Sequence, residues 1–206
     1  MGLSDLSIRL NVFKVYKVSF RNLINLTSLI NIYTPFLAGY VINSRNGILH
    51  SMDLDALDKR MIIRSLREAS LAAEAGEVPV GAVVYRGDEV IAAAHNLRES
   101  LADPTAHAEI LALRQAGRKL GLWRLEGCSI AVTLEPCPMC AGAMVNSRID
   151  RLVYGAADPK MGAVHTLYEI CTDTRLNHRL EIQGGVMAEP CAAVLQAFFQ
   201  TRREAK

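Results

Sequence analysis

Between residues 58 and 75, Met61, Ile62, Leu66, Ala69 and Ala73 recur at helical spacing with charged side chains between them, which predicts an amphipathic first helix. The apolar blocks that follow are shorter and denser. Residues 80–85 and 90–94, separated by Arg86-Gly87-Asp88, predict a β-hairpin, and its poor alternation implies cover on both faces. Asp103 ahead of Pro104 has the form of a helix cap, so a helix is expected over 106–120 with His107 and Glu109 on its opening turn. Residues 129–133 predict a buried strand, 139–145 a helix of small residues, 151–154 and 181–186 two further strands, and 188–203 a closing helix. This order predicts an α/β domain, a mixed sheet covered by helices on both faces. There is no internal repeat or low-complexity tract.

Residues 1–51 break the pattern. They hold one acid, Asp5, with six Asn and a single Ala, whereas residues 52–206 hold twenty acids, three Asn and abundant Ala. No residue between Arg21 and Arg45 is charged, and the apolar run from Ile24 to Ile42 has the length of a membrane span. Asn25, Asn31, Thr34 and Pro35 dilute that run, and a transit peptide fits only loosely. Residues 1–51 are therefore expected to be upstream translated or disordered sequence with no fold of its own. The folded domain is expected to occupy 52–206, beginning at Met52, and no membrane partner is expected for it.

Charge changes with that boundary, because residues 52–206 carry eighteen Lys/Arg against twenty Asp/Glu. A global basic footprint for nucleic acid is excluded. Local clusters remain at Arg175-Leu-Asn177-His178-Arg179 and at Arg202-Arg203. Five cysteines, an odd number, suit a reducing compartment in which thiols are free for metal.

The chemistry lies in His107-Ala-Glu109 and Pro136-Cys137-Pro-Met-Cys140. One imidazole and two thiolates fill three corners of a zinc tetrahedron and leave the fourth for water. Cys140 is expected on a helix's first turn, where free N–H groups and the helix dipole favour thiolate. Glu109, two residues from His107, is spaced to face substrate rather than metal. Each half alone is ambiguous, since C-x-x-C also serves structural zinc or redox chemistry. Together, in this context of strand and helix, they point to a catalytic metal site.

Glu77-Val-Pro-Val-Gly-Ala82, Asn96, Asp103-Pro-Thr-Ala-His-Ala-Glu-Ile110, Val132-Thr-Leu-Glu-Pro-Cys-Pro-Met-Cys-Ala-Gly-Ala-Met144 and Ser147-Arg-Ile149 stand in the order of a known family. Over about residues 59–204 the chain resembles the zinc-dependent nucleoside and nucleic-acid deaminases. Within them it is most similar to the bacterial tRNA adenosine deaminases, through Gly155–Ala163, Leu176–Ile182, Phe198-Phe199 and Arg202-Arg203. That family lacks the first 51 residues.

The resemblance implies a three-layer α/β/α cytidine-deaminase-like fold with a central mixed five-stranded sheet. It implies one Zn2+ per subunit on His107, Cys137 and Cys140, with Glu109 moving the proton while water adds to C6 of adenine. Asn96, Ala108, Pro136 and Asp158 are its candidates for holding the nucleotide. Phe199, Arg202 and Arg203 are candidates for holding RNA, with one of Phe198 and Phe199 expected in the core. The implied partners are a tRNA anticodon stem-loop and a second copy of the chain, in the cytoplasm. A guanine or cytosine deaminase of the same fold and a zinc-stabilised, non-catalytic binding protein are the alternatives, beside a membrane-anchored deaminase resting on residues 22–44.

Overall fold

The computed structural model describes residues 51–204. In chain order the elements are α1 (Ser51–Glu74), β1 (Gly81–Arg86), β2 (Glu89–His95), α2 (Arg98–Leu101), α3 (Ala108–Leu120), β3 (Ser129–Leu134), α4 (Pro138–Asn146), β4 (Arg151–Ala156), a 3-10 turn at Ile170–Thr172, β5 (Glu181–Gln183) and α5 (Ala188–Glu204). The strands form one sheet in the order β2-β1-β3-β4-β5. Pairing is antiparallel from β2 to β1 to β3 and parallel from β3 to β4 to β5, so the sheet is mixed and five-stranded, as expected.

Alternate residues of the central strands face two cores. Ala82, Val84, Ile130, Val132, Leu152 and Tyr154 pack beneath α3 and α4, against Ala112, Leu113, Ala141 and Met144. Val83, Tyr85, Ala131 and Val153 face the other way, against Met61 and Ile62 of α1 and Cys191 of α5. Both faces are therefore covered, which explains the weak alternation of the hairpin. Each fully buried Val, Ile or Met contributes about 1.5–3 kcal/mol, so the paired cores hold the three layers together.

Two glycines set the distance between layers. A Cβ at Gly81 would lie 2.0 Å from the Ser65 carbonyl oxygen, and one at Gly155 would lie 2.3 Å from Cys191 Sγ. Helix α1 thus rests directly on β1, and Ser65 Oγ donates to Ala131 O at 2.9 Å. Arg151 adds a polar clamp, donating to both oxygens of buried Asp58 at 2.5 and 2.8 Å and to Glu181 at 2.9 Å. Helix α1 closes with Gly76 at φ 77°, where Gly76 N donates to Ala73 O and Glu77 N to Ala72 O. That is the Schellman pattern.

Some boundaries differ from expectation. Helix α3 begins at Ala108 rather than 106, because Asp103 caps a local turn: its Oδ1 accepts from Thr105 N and Oγ1, both at 2.7 Å. Strand β5 ends at Gln183 rather than 186. Gly185 has φ 78°, and a Cβ at Gly184 would strike the Tyr154 ring, so the chain turns away. Helix α2 and the 3-10 turn are too short to show periodicity in the sequence. The expectations for residues 1–51 fall outside the described residues, apart from Ser51 at the start of α1. No described helix is long and apolar enough to cross a membrane.

Candidate active site

Parallel pairing places the ends of β3 and β4 side by side, and the metal-ligand candidates collect there. After Leu134 the chain turns through Glu135 and Pro136, setting Cys137 as the N-cap of α4, with Pro138 in the first turn and Cys140 behind it. His107 is the N-cap of α3, in extended conformation with φ −72° and ψ 150°. Neither His107 nor Cys137 caps its own helix. Their side chains turn toward each other instead.

His107 Nδ1 lies 3.7 Å from Cys137 Sγ and 3.5 Å from Cys140 Sγ, and the three donor atoms lie within 4.8 Å of one another. A tetrahedral zinc with ordinary Zn–N and Zn–S bonds requires N···S separations of about 3.6 Å, so this donor set fits. Among the described residues no fourth His, Cys, Asp or Glu joins the group. Two helix N-termini face the same point, and their dipoles favour negative charge there.

The local electrostatics follow from these contacts. The Cys140 thiol donates to Cys137, and with His107 this lowers Cys137 to about 4. Cys140 is pushed up by the same hydrogen bond and by burial. His107 is raised, chiefly by its contact with Cys137. Glu109, in the first turn of α3, is only 4% exposed and lies outside the donor set. Burial raises its carboxyl above the ordinary range, and the carboxyl meets the Cys140 thiol. A sheltered carboxyl beside the donor set can take up and return a proton.

Two other carboxylates organise the surrounding loops, and sequence reasoning gave neither a role. Glu77 is fully buried at the end of α1 and accepts from Asn96 Nδ2 at 3.1 Å, Glu99 N at 3.2 Å and Ser100 N at 2.7 Å. Because a carboxylate only accepts, it fixes the Asn96 amide with nitrogen inward. Burial by itself would raise Glu77, but these N–H groups bring it below the ordinary value. Glu135 accepts from Asp158 N, Val164 N, His165 N, Thr166 N and Thr166 Oγ1. Burial opposes its ionisation too, yet the Thr166 hydroxyl and the peptide donors hold it at about 2. The available signal was an acid in an apolar stretch with no basic neighbour, as in Thr-Leu-Glu135-Pro.

The remaining candidates divide. Asn96 is 5% exposed and held by Glu77. The Ala108 methyl is fully buried in the core, so only its peptide is available to a base. Pro136 O accepts from Ala163 N at 2.8 Å. Asp158 is partly exposed, and its Oδ1 caps Lys160 N at 2.9 Å. Phe198 is half-buried under Arg202, whereas Phe199 is 44% exposed. Arg202 donates to Gly76 O at 2.7 Å, and Arg203 is exposed. Since β1 runs antiparallel to β3, Gly76 leads into the end of the sheet that carries the metal-ligand candidates, although α5 covers the opposite face. The 175–179 cluster lies at the other end, where His178 Nε2 contacts Ile149 O and Arg148 donates to Asn177 Oδ1, just before β4.

A sequence profile of the MafB19-like deaminases matches residues 57–203. A tRNA-specific adenosine deaminase of Bacillus subtilis is 48% identical over 149 residues, 72% of this chain and 92% of that protein. One of Haemophilus influenzae is 47% identical over 150 residues, 72% of this chain and 87% of that protein. A solved structure from work on A-to-I editing by tRNA:A34 deaminases at the wobble position superposes with a TM-score of 0.64 at 42% identity, covering 66% of this chain and 99% of that one. A guanine deaminase of Nitrosomonas europaea, 22% identical with a TM-score of 0.57 over 78% of this chain and 98% of that one, shares the fold.

Proposed function

The chain belongs to the MafB19-like deaminase family and, within it, to the tRNA-specific adenosine deaminases; from that premise we propose hydrolytic conversion of adenosine to inosine at the wobble position of a tRNA anticodon. The observation that carries the proposal is the convergence of His107, Cys137 and Cys140 with Glu109 beside them and outside the donor set. His107 Nδ1 and the two sulfurs would hold one Zn2+. Bound there, zinc supplies a water ionised near neutral pH. Thiolate and imidazole donors favour zinc over harder divalent ions.

Water adds its oxygen to C6 of adenine, the C6–N6 bond breaks and ammonia leaves. Glu109 takes the proton from water, delivers it to N1 and assists the departing amine. Its burial keeps the proton from bulk water. Asn96, fixed by Glu77, offers the base its amide oxygen and its remaining N–H. The Ala108 peptide and Pro136 frame the base beside the ligands. Asp158 has its second oxygen for the nucleotide sugar, because only Oδ1 caps Lys160.

The target base must leave its stack at a cost of a few kcal/mol, which an anticodon loop lowers by presenting it unstacked. Phe199 and Arg203 are free to meet loop nucleotides, while Arg202 acts chiefly by anchoring the end of α5 to Gly76. We infer a homodimer from the apolar strip between α3 and α4, where Ala143 adjoins exposed Leu122 and Trp123. Sedimentation of wild type and Trp123→Glu checks this, with dimer and monomer expected respectively. Five unpaired cysteines suit the cytoplasm.

The substrate assignment is tested by supplying the full chain with an anticodon stem-loop bearing adenosine at the wobble position, the same loop with that adenosine shifted by one nucleotide, and free guanine. Inosine is expected in the first alone. Preferential turnover of guanine would overturn the assignment. A zinc-stabilised binding protein would need a fourth protein ligand, and the described residues offer none.

A further inference from the structure

Thirteen residues, 157–169, separate the end of β4 from the 3-10 turn and form no helix or strand. A segment of that length in a compact domain needs something to fold around. Here it is the Glu135 side chain. Glu135 N donates to Ala156 O at 2.8 Å, extending the β3–β4 pairing by one step, and its carboxylate then turns into the loop. Oε1 accepts from the N–H groups of Val164, His165 and Thr166 at 3.1, 2.8 and 3.0 Å. Oε2 accepts from Asp158 N at 3.1 Å and from the Thr166 hydroxyl. The carboxylate is 2% exposed and, among the described residues, meets no cation within ion-pair distance. Its charge is met by peptide dipoles and one hydroxyl, the arrangement of an anion nest with the anion supplied by the chain itself.

The fit is close. A Cβ at Gly162 would lie 2.4 Å from Glu135 Oε2, and Ala163 N donates to Pro136 O, the carbonyl next to Cys137. The loop is thus bonded on one side to the metal-ligand segment and on the other to Glu135. It carries Asp158 and exposes Met161, Leu167 and Tyr168.

We propose that Glu135 is a positioning residue that folds 158–166 into one wall of the site and thereby sets how strongly the RNA is held, without taking part in proton transfer. In Glu135→Gln one oxygen can still accept from 164–166, but the amide nitrogen faces the Asp158 N–H, donor against donor. Hydrogen exchange at Asp158 and 164–166 is expected to quicken about tenfold, the scale of one lost hydrogen bond to a charged group. KM for the anticodon stem-loop should rise by a similar factor, while kcat and bound zinc stay within about twofold.

Thr166→Val removes one donor and keeps the carboxylate, so it should show the same pattern more weakly, and it decides the matter if Glu135→Gln fails to fold. Unchanged exchange at these amides in the folded variants would overturn the proposal. So would loss of kcat and zinc with KM unchanged, which would mean that Glu135 serves the ligand segment instead. The kinetic arm rests on the proposed deamination of tRNA. The exchange arm does not, so failure of one reading is distinguishable from failure of the other.

Discussion

Asn96 and Glu77 show how much of this site is decided by single groups. The Asn96 amide could present either end to a base, and only an ionised acceptor behind it removes the choice. Glu77 supplies that acceptor and, being held below its ordinary value, contributes stability that is fully present above about pH 4.5 and is lost as pH falls through its lowered folded value. In Glu77→Gln the wild-type advantage, about 1–3 kcal/mol near neutrality, should shrink below pH 4.5; urea unfolding at a series of pH values checks the sign. A constant difference across that range would show that the charge of Glu77 is not what matters. His107, Cys137 and Cys140, which the fold brings together, and Glu109 beside them were legible in the sequence as candidates because donor type and spacing are written locally. Glu77 and Glu135 were not, because apart from the Asn96 amide and the Thr166 hydroxyl their partners are backbone N–H groups on distant loops and have no residue type to recognise.

At the scale of elements, two helix N-termini converge because α3 and α4 share one face of the sheet and both start at the end of it where β3 finishes. Periodicity in the sequence located every long element and supported the mixed sheet, but it placed the start of α1 at 58 rather than Ser51. It misjudged the start of α3, where Asp103 carries a true capping signal but spends it on a turn, leaving His107 at the helix start with its ring free for metal. It also overran β5, because the Gly184-Gly185 break depends on the Tyr154 ring packed alongside. The opposite layer is held as closely. Gly81→Ala would drive a methyl into the Ser65 carbonyl, a backbone atom that cannot swing aside, and lift α1 from β1. Overpacking of this kind costs about 1–3 kcal/mol or more, so the urea midpoint should fall clearly with zinc content unchanged. An unchanged midpoint would show that the helix shifts freely.

Across the described domain, the candidate site is gathered at one end of the sheet and basic groups lie at both. The 175–179 cluster, a candidate RNA contact by composition alone, sits beyond the start of β4, whereas the end of α5 reaches the end of the sheet that carries the metal-ligand candidates. Sequence could not separate the two, since position relative to the site is a property of topology. Arg203→Ala should therefore weaken RNA binding and reduce its salt slope by about one, with stability unchanged. Arg202→Ala should lower the melting temperature as well, because it loses the bond to Gly76 O. Binding isotherms at several salt concentrations, beside thermal melts, distinguish these variants. The measurement that tests the central claim most directly is inosine formation in a wobble-adenosine stem-loop by the zinc-loaded full chain, beside zinc-loaded Glu109→Ala. Conversion by the wild type is expected, with a loss of about a hundredfold or more in the variant and equal zinc in both. Equal rates in the two proteins, or no inosine from a wild type carrying its zinc, would contradict it.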